Sequence, residues 1–376
     1  RAWTSYFATL CDHRPNDFRL HVPSLAENYN LLDPIAVVVL LLAGTIASVS
    51  TKATSYLNWI ASSLNMFIIV FIIIAGLANA KPSNLKPYFP YGVTGVFKGA
   101  SVVFFAYLGF DTVCTVAEET KNPKRDIPIG LLASMFIVTI LYCLMALTLC
   151  LMQNYADIDI NAPFSSAFTN AVGWKWAQYV VSVGALKSLS SVLLVGCVGQ
   201  ARYIAHMART HILPPWFAWV NARTGTPVNA TMGIVTASCF IALFTELRIL
   251  SNLLSISTLF IFMLVALSLL VRRHYVSGET SAHHQRLLII FLTMIIVSSI
   301  MTAAYWGRTE GRGWIMYCIS VPIWFLGTLG LAIWVPKARQ PKFWGVPCVP
   351  WIPSLSIATN SFLLGSLDKD SYIRFG

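Results

Sequence analysis

Charge is scarce in this chain: charged residues fill only 11% of 376 positions, against roughly 25% in soluble domains. Hydrophobic residues make up 56%, and a soluble globular protein is excluded. Acidic residues are scarcer than basic ones, 15 against 26, for a net charge of +11. Basic charge so thinly spread over so apolar a chain is not a nucleic-acid footprint; no nucleic-acid partner is expected, and the charge instead raises the question of membrane sidedness. The eight cysteines contain no CxxC pair, and most lie inside apolar runs. That excludes a disulfide framework and a zinc site, and no metal or cofactor is expected. The chain carries no HExxH, GxSxG or phosphate loop, so no catalytic constellation is in view. His13 and Asp17 form an HxxxD, one residue short of an acyltransferase spacing, and His283-His284 has no partner acid or cysteine near it. Neither a ring of like charge nor a repeated filter loop suggests a channel. No initiator Met and no signal peptide precede the first apolar run, and Arg1-Ala2-Trp3 reads as the start of a fragment.

Long apolar runs are abundant. They place helices at about 33–50, 58–78, 98–117, 127–151, 176–200, 229–246, 249–271, 287–305, 314–335 and 351–367, each near the ~20 residues that cross a bilayer. Ten spans are therefore expected. The runs are continuous rather than alternating, which favours helices over barrel strands.

The linkers fall on two sides. One carries Lys52, residues 121–126, 202–227, 272–286 and 336–344; the other carries residues 1–32, 81–97, 152–175, 246–248, 305–313 and the C-terminal tail. Lys and Arg number 13 on the first and, with Lys98 and Asp33 at the span edges counted to it, 12 on the second, so that count alone does not orient the chain. Glu118, Glu119, Asp126 and Glu279 leave the first side at net +9, whereas ten acids leave the second at net +2. Basic residues crowded at helix ends make the first side cytoplasmic. The sequon Asn229-Ala-Thr231 would then lie at the cytoplasmic membrane edge, where it reads as accidental.

The third span departs from the others. It contains Gly99, Gly109 and an acid, Asp111, in Gly99-Ala-Ser-Val-Val-Phe-Phe-Ala-Tyr-Leu-Gly-Phe-Asp111. An acid within a span is expensive and points to function. Glycine lets a helix break, and a break frees backbone groups that can bind a polar solute at the midplane. The competing reading gives the glycines to close helix packing and Asp111 to a hydrated inner end.

This span runs into Ala117-Glu-Glu-Thr-Lys-Asn-Pro-Lys-Arg-Asp-Ile-Pro-Ile-Gly130. Together they resemble the signature of the amino acid, polyamine and organocation permease superfamily, most closely the plant-type cationic amino acid transporters. Two further blocks are similar in the same order. One is Gly199-Gln-Ala-Arg-Tyr-Ile-Ala-His-Met-Ala-Arg-Thr-His-Ile-Leu-Pro-Pro215 with Thr224-Gly-Thr-Pro-Val-Asn-Ala230; the other is Phe343-Trp-Gly-Val-Pro-Cys-Val-Pro-Trp-Ile-Pro-Ser-Leu-Ser-Ile357.

The resemblance implies an all-α integral membrane protein with the inverted-repeat, broken-helix fold of amino acid permeases. About ten of fourteen helices would be present, the first two, most of the third and the last being absent. The chain would form one polytopic domain over 1–376, with core helices in 1–285 and accessory helices in 286–376.

The resemblance also implies roles for particular residues. Backbone carbonyls near Phe105 and Leu108 would face a substrate amine beside the break at Gly109, with Phe105 or Tyr107 as a gating ring; helix ends present such carbonyls to cations. Packing is the other role open to Phe105. Asp111 stands where relatives have an acid linked to substrate access or proton sensing, an inner capping acid being the rival role.

Lys187 lies about 16 Å inside its span, too deep for easy snorkelling, with Ser190 and Ser191 on the same face. In relatives, hydroxyls of this helix help hold a coupling ion, or a fifth-helix lysine replaces that ion. The matching fifth-helix position here is Asn65, and Lys187 becomes the coupling candidate. Near a cationic substrate it must be neutral, paired or distant. Gly196, Cys197 and Gly199 either border a side-chain pocket or serve packing.

Glu118, Glu119, Arg125, Arg202 and Arg209, with Lys121 and Lys124, form a candidate cytoplasmic gate, set against a solvated, topology-setting edge. Arg209-Thr-His211 departs from the Arg-Asp-Gly common at this point in the family. The function implied is secondary transport of cationic amino acids such as arginine and lysine by alternating access, coupled to protons, in the plasma membrane or, second, the vacuolar membrane. The alternatives are a polyamine or neutral amino acid carrier and, from another class, a membrane-embedded acyltransferase. An enzyme is not expected, and the sequence sets no oligomeric state.

Overall fold

The computed structural model describes residues 1–13, 17–23, 30–49, 51–110, 120, 122–159, 162–221, 225–245, 247–309, 314–341 and 345–367. Asp111, Glu118 and Glu119 lie outside the described residues. The described helices are α1 (Ala2–Leu10), α2 (Pro34–Val49), α3 (Thr51–Ala78), α4 (Gly92–Val103), α5 (Pro123–Met152), α6 (Pro163–Ala167), α7 (Lys175–Arg209), α8 (Val228–Phe244), α9 (Leu247–His274), α10 (Ala282–Thr309), α11 (Ile315–Trp334) and α12 (Trp351–Gly365). Among the described residues, five helices are long and apolar enough to cross a membrane: α5, α7, α9, α10 and α11. Shorter apolar helices cover Pro34–Ser48, Ser62–Ala78, Gly92–Tyr107 and Val228–Phe244.

Every apolar run expected to be helical contains helix. The ends differ where burial or a break overrides the apolar count. Helix α7 continues to Arg209 instead of stopping near 200, because Ala201, Ala205 and Ala208 recur at helical spacing as a buried stripe. Helix α4 begins at Gly92 and stops at Val103, and residues 111–117 of the expected span lie outside the described residues. The segment before residue 33, expected to be a linker, holds α1 and a small antiparallel pair, Leu20–His21 (β1) against Leu31–Leu32 (β2), and the other regular elements among the described residues are helical.

The chain divides into two compact units, Arg1–Tyr88 with Ala133–Leu247, and Phe89–Leu132 with Arg248–Gly376. The core of the first gathers Ile72, Ala75, Met152, Ala167, Phe168, Ala177 and Val181, with a smaller cluster of Ala47, Cys197 and Val235. Leu270, Leu288, Leu292, Ile295, Leu331 and Ile357 lie at the centre of the second. Much larger apolar side chains point outward: Phe67 is 73% exposed, Phe136 69% and Phe240 69%. Large apolar side chains turned outward suit a hydrocarbon surround, where helices associate by close packing rather than by expulsion of water.

The Asn229 amide donates to the Trp216 carbonyl at 2.9 Å, and buried Thr231 donates to Pro227 O at 3.0 Å, so the sequon is built into the start of α8. His13 and Asp17 form an exposed pair at 3.6 Å. In the exposed turn before α10, Ser281 accepts from the His284 amide at 3.3 Å, as a helix cap does.

Candidate functional site

In the second unit, α4 gives way after Val103 to a 3-10 turn at Phe104–Tyr107. Leu108 is then extended, and its amide donates to the Phe105 carbonyl at 3.1 Å. One lone pair of that carbonyl is thereby used, and a carbonyl has two. Gly109 follows at φ +110°, a backbone that L side chains rarely adopt. Among the described residues, no atom lies within 4 Å of where a Cβ would sit on Gly99 or Gly109. At Gly109 the backbone turn itself calls for glycine. Phe105, Tyr107 and Leu108 are half-buried around this interruption.

The half-helix before the break is firmly seated within its unit. Phe97 meets Trp306 and Phe362 edge-on, with ring centroids 5.2 and 5.0 Å away. Buried Ser101 donates to Leu363 O of α12 at 2.9 Å. From α9, Ser255 donates to Val102 O at 3.3 Å. None of these partners was legible in the sequence, although Ser251, Asn252, Ser255 and Thr258 recur at helical spacing along one apolar span.

In the first unit, Lys187 is half-buried near the middle of α7. The structure brings Asn65 to the adjacent residue: Ser188 Oγ donates to Asn65 Oδ1 at 2.6 Å. One turn before, Gly184 lies so close to α3 that a Cβ there would fall 2.6 Å from Ile68 Cδ1. Ser190 accepts from Trp3 Nε1 at 3.0 Å and donates back to Leu186 O at 2.8 Å. Thus α1 and α3 both bond to α7 beside Lys187, and Ser191 continues the same stretch half-buried. Further along, Gly196 has no atom within 4 Å of its Cβ position among the described residues, whereas Cys197 is buried against Ala47 and Val235.

A buried charge cluster that the sequence did not disclose sits before α2. Asp33 is fully buried, and its Oδ1 accepts from Thr4 Oγ1 at 2.8 Å and from the Ala36 amide at 2.9 Å. Arg19 Nε lies 3.6 Å from Asp33 Oδ2. The Arg1 guanidinium donates to the Leu31 carbonyl and to Ala242 O at 3.0 Å and Leu243 O at 2.8 Å, the last turn of α8. A cation at a helix C-terminus is favourable there. The signal available in the sequence was Asp33-Pro34, an N-cap acid before a first-turn proline.

The gate candidates are exposed: Arg125 in the first turn of α5, Arg202 within α7, and Arg209 in its last turn. Arg125 belongs to one unit and Arg202 and Arg209 to the other.

An outwardly apolar set of helices, five of them among the described residues long enough to cross a bilayer and the shorter α4 giving way to a 3-10 turn ahead of a left-handed glycine, defines a multi-pass integral membrane protein. The chain belongs to the amino acid permease family: residues 20–333 match the family model described as amino acid permease, and residues 344–376 match that of the C-terminus of AA_permease. Among curated proteins it is similar to Cationic amino acid transporter 1 of Arabidopsis thaliana, 59% identical over 375 residues covering 100% of this chain and 63% of that protein. Cationic amino acid transporter 5 of the same plant is 57% identical over 376 residues, 100% of this chain and 66% of that protein. Cationic amino acid transporter 8, vacuolar, is 51% identical over 375 residues, again 100% of this chain and 63% of that protein. The chain spans 63–66% of the length of these three relatives. They are named as transporters and not as enzymes, which removes the acyltransferase reading.

Proposed function

We propose that this protein is a secondary transporter of cationic amino acids, arginine and lysine, working by alternating access in the plasma membrane. The observation that carries the proposal is the interruption of α4 at Phe104–Gly109, where the α-helix gives way to a 3-10 turn, an extended Leu108 and a left-handed glycine inside an apolar chain. Carbonyls at the C-terminal end of the half-helix attract a cation, and the Phe105 and Leu108 carbonyls are assigned to the substrate amine. Phe105 or Tyr107 supplies the gating ring. Asp111 is assigned to substrate access, and Glu118, Glu119, Arg125, Arg202 and Arg209 to the cytoplasmic gate. The inverted-repeat fold belongs to the proposal, as do a single polytopic domain with core helices in 1–285 and accessory helices in 286–376. The printed names of the relatives favour cationic substrates over polyamines or neutral amino acids.

Proton coupling is assigned to Lys187, flanked by Ser190 and Ser191. Support comes from its setting: Asn65, the position where some relatives carry a lysine, is bonded to Ser188, the residue next to Lys187, where α3 meets α7. The test is radiolabelled uptake by the complete reading frame in permease-deficient cells. Saturable arginine and lysine uptake that rises as pH falls is expected, with Lys187→Met flattening the pH profile. Saturable leucine uptake without lysine uptake would sink the substrate assignment, and an unchanged profile in Lys187→Met would remove the coupling role.

A further inference from the structure

Ser255 and Phe262 lie seven residues apart on α9, and so share one face of that helix. Both touch the interruption of α4. Ser255 is fully buried and donates to the carbonyl of Val102, one of the last in the half-helix. A carbonyl has two lone pairs; Val102 O accepts a backbone amide at the end of the half-helix, and the Ser255 hydroxyl adds a second donor from α9. Seven residues on, the Phe262 ring packs edge-on against Phe104, centroids 6.0 Å apart, and in a tilted contact against Phe110 at 5.1 Å.

Phe104 opens the 3-10 turn, whereas Phe110 follows the left-handed Gly109. One ring therefore holds the chain on both sides of the break. Ile256 and Leu259 of α9 pack with Val102 and Phe104 in the same buried cluster, which fills the space between the two grips. A short 3-10 turn that runs into a left-handed glycine has less regular pairing than the helix before it, and packing by its neighbours adds to what fixes its conformation.

We propose that Ser255 and Phe262 are positioning residues that brace the interrupted segment of α4, setting the pose of Phe105 and Tyr107 at the site. The proposal rests on the transport reading for its functional consequence, but not for its structural one. Without Phe262 the 3-10 turn and the stretch after Gly109 lose their shared contact, and the segment samples other conformations. Substrate affinity then falls more than turnover, because the unbraced site must be ordered by the substrate itself.

The test uses the full-length protein in membranes, with a cysteine introduced at Ala106 and its labelling rate by a small thiol reagent measured above the same protein without it. Phe262→Ala is expected to raise that rate by about tenfold, and Ser255→Ala by a few-fold, the range that loss of an aromatic pair or a hydrogen bond allows. Phe262→Tyr and Ser255→Thr retain the original rate. Phe262→Ala also raises the KM for arginine more than it lowers the maximal uptake rate. Phe291→Ala, within the other hydrophobic cluster of this unit, is the comparison for general loosening and leaves the labelling rate unchanged. Equal labelling in Phe262→Ala and the unmutated protein would overturn the brace, and so would an equal rise in Phe291→Ala. Absence of arginine uptake in the unmutated protein would defeat the transport reading alone, since labelling at Ala106 reads the brace without any substrate.

Discussion

At the scale of single residues, Asp33 shows how much a buried charge depends on its partners. Its carboxylate is cut off from solvent and accepts from Thr4 and the Ala36 amide, with Arg19 alongside. Taking away one partner of such a pair strands the other, at a cost of roughly 3–5 kcal/mol. Asp33→Asn should therefore destabilise the protein by about 3 kcal/mol, read as a lower Tm of the detergent-purified protein. Asp33→Leu combined with Arg19→Met should recover part of the loss, since no stranded charge remains. An Asp33→Asn protein as stable as the parent would mean that the pair contributes nothing. The sequence showed Asp33 as a helix start but not as the centre of a cluster, because Thr4, Arg19 and Arg1 approach it from separate parts of the chain. Lys187 was legible by contrast, since one cation in an apolar run needs no partner to be noticed. Its neighbours Asn65 and Trp3 were another matter: the first was picked out only through family resemblance, and the bond of the second to Ser190 only through the structure.

At the scale of the element, helix ends are decided by local chemistry as well as by apolar length. Helix α7 ends with Thr210 donating its amide to His206 O at 3.1 Å, and Ile212 donating to Met207 O at 3.1 Å. His211 between them stands at φ +61°, the left-handed backbone that glycine occupies at helix C-termini. The departure from Arg-Asp-Gly noted in the sequence thus has a conformational consequence, since a side chain in that region costs roughly 1 kcal/mol. His211→Gly is expected to raise the Tm and stabilise by about 1 kcal/mol, and His211→Val to lower it; a fall in Tm for the glycine variant would show that the imidazole makes up for the strain. Helix α4 illustrates the opposite limit. Its apolar run extends well past Val103, so composition carried the expected span to 117, while the backbone turned at Gly109. Glycine in the sequence permitted that turn, and the contacts of Phe262 and Ser255 locate it.

At the scale of the whole molecule, the distribution of charge between linkers makes a topological prediction. With the basic linkers in the cytoplasm, a cysteine replacing exposed Ser277 between α9 and α10 should react with an impermeant thiol reagent only after cells are permeabilised. One replacing exposed Ala156 between α5 and α6 should react in intact cells. The reverse pattern would invert the orientation. By itself the sequence determined the membrane class, the helical character and the approximate place of each apolar helix, because in hydrocarbon a chain must satisfy its backbone within each helix and expose apolar side chains. It also carried the family, through motifs that follow one another in order. Only the tertiary structure decided where α4 breaks, which seam holds Lys187, and that Asp33 is buried among Arg19, Thr4 and Ala36. Those features depend on contacts between residues up to hundreds of positions apart, and the pattern of apolar and polar residues along a helix records that a face is buried without recording what covers it.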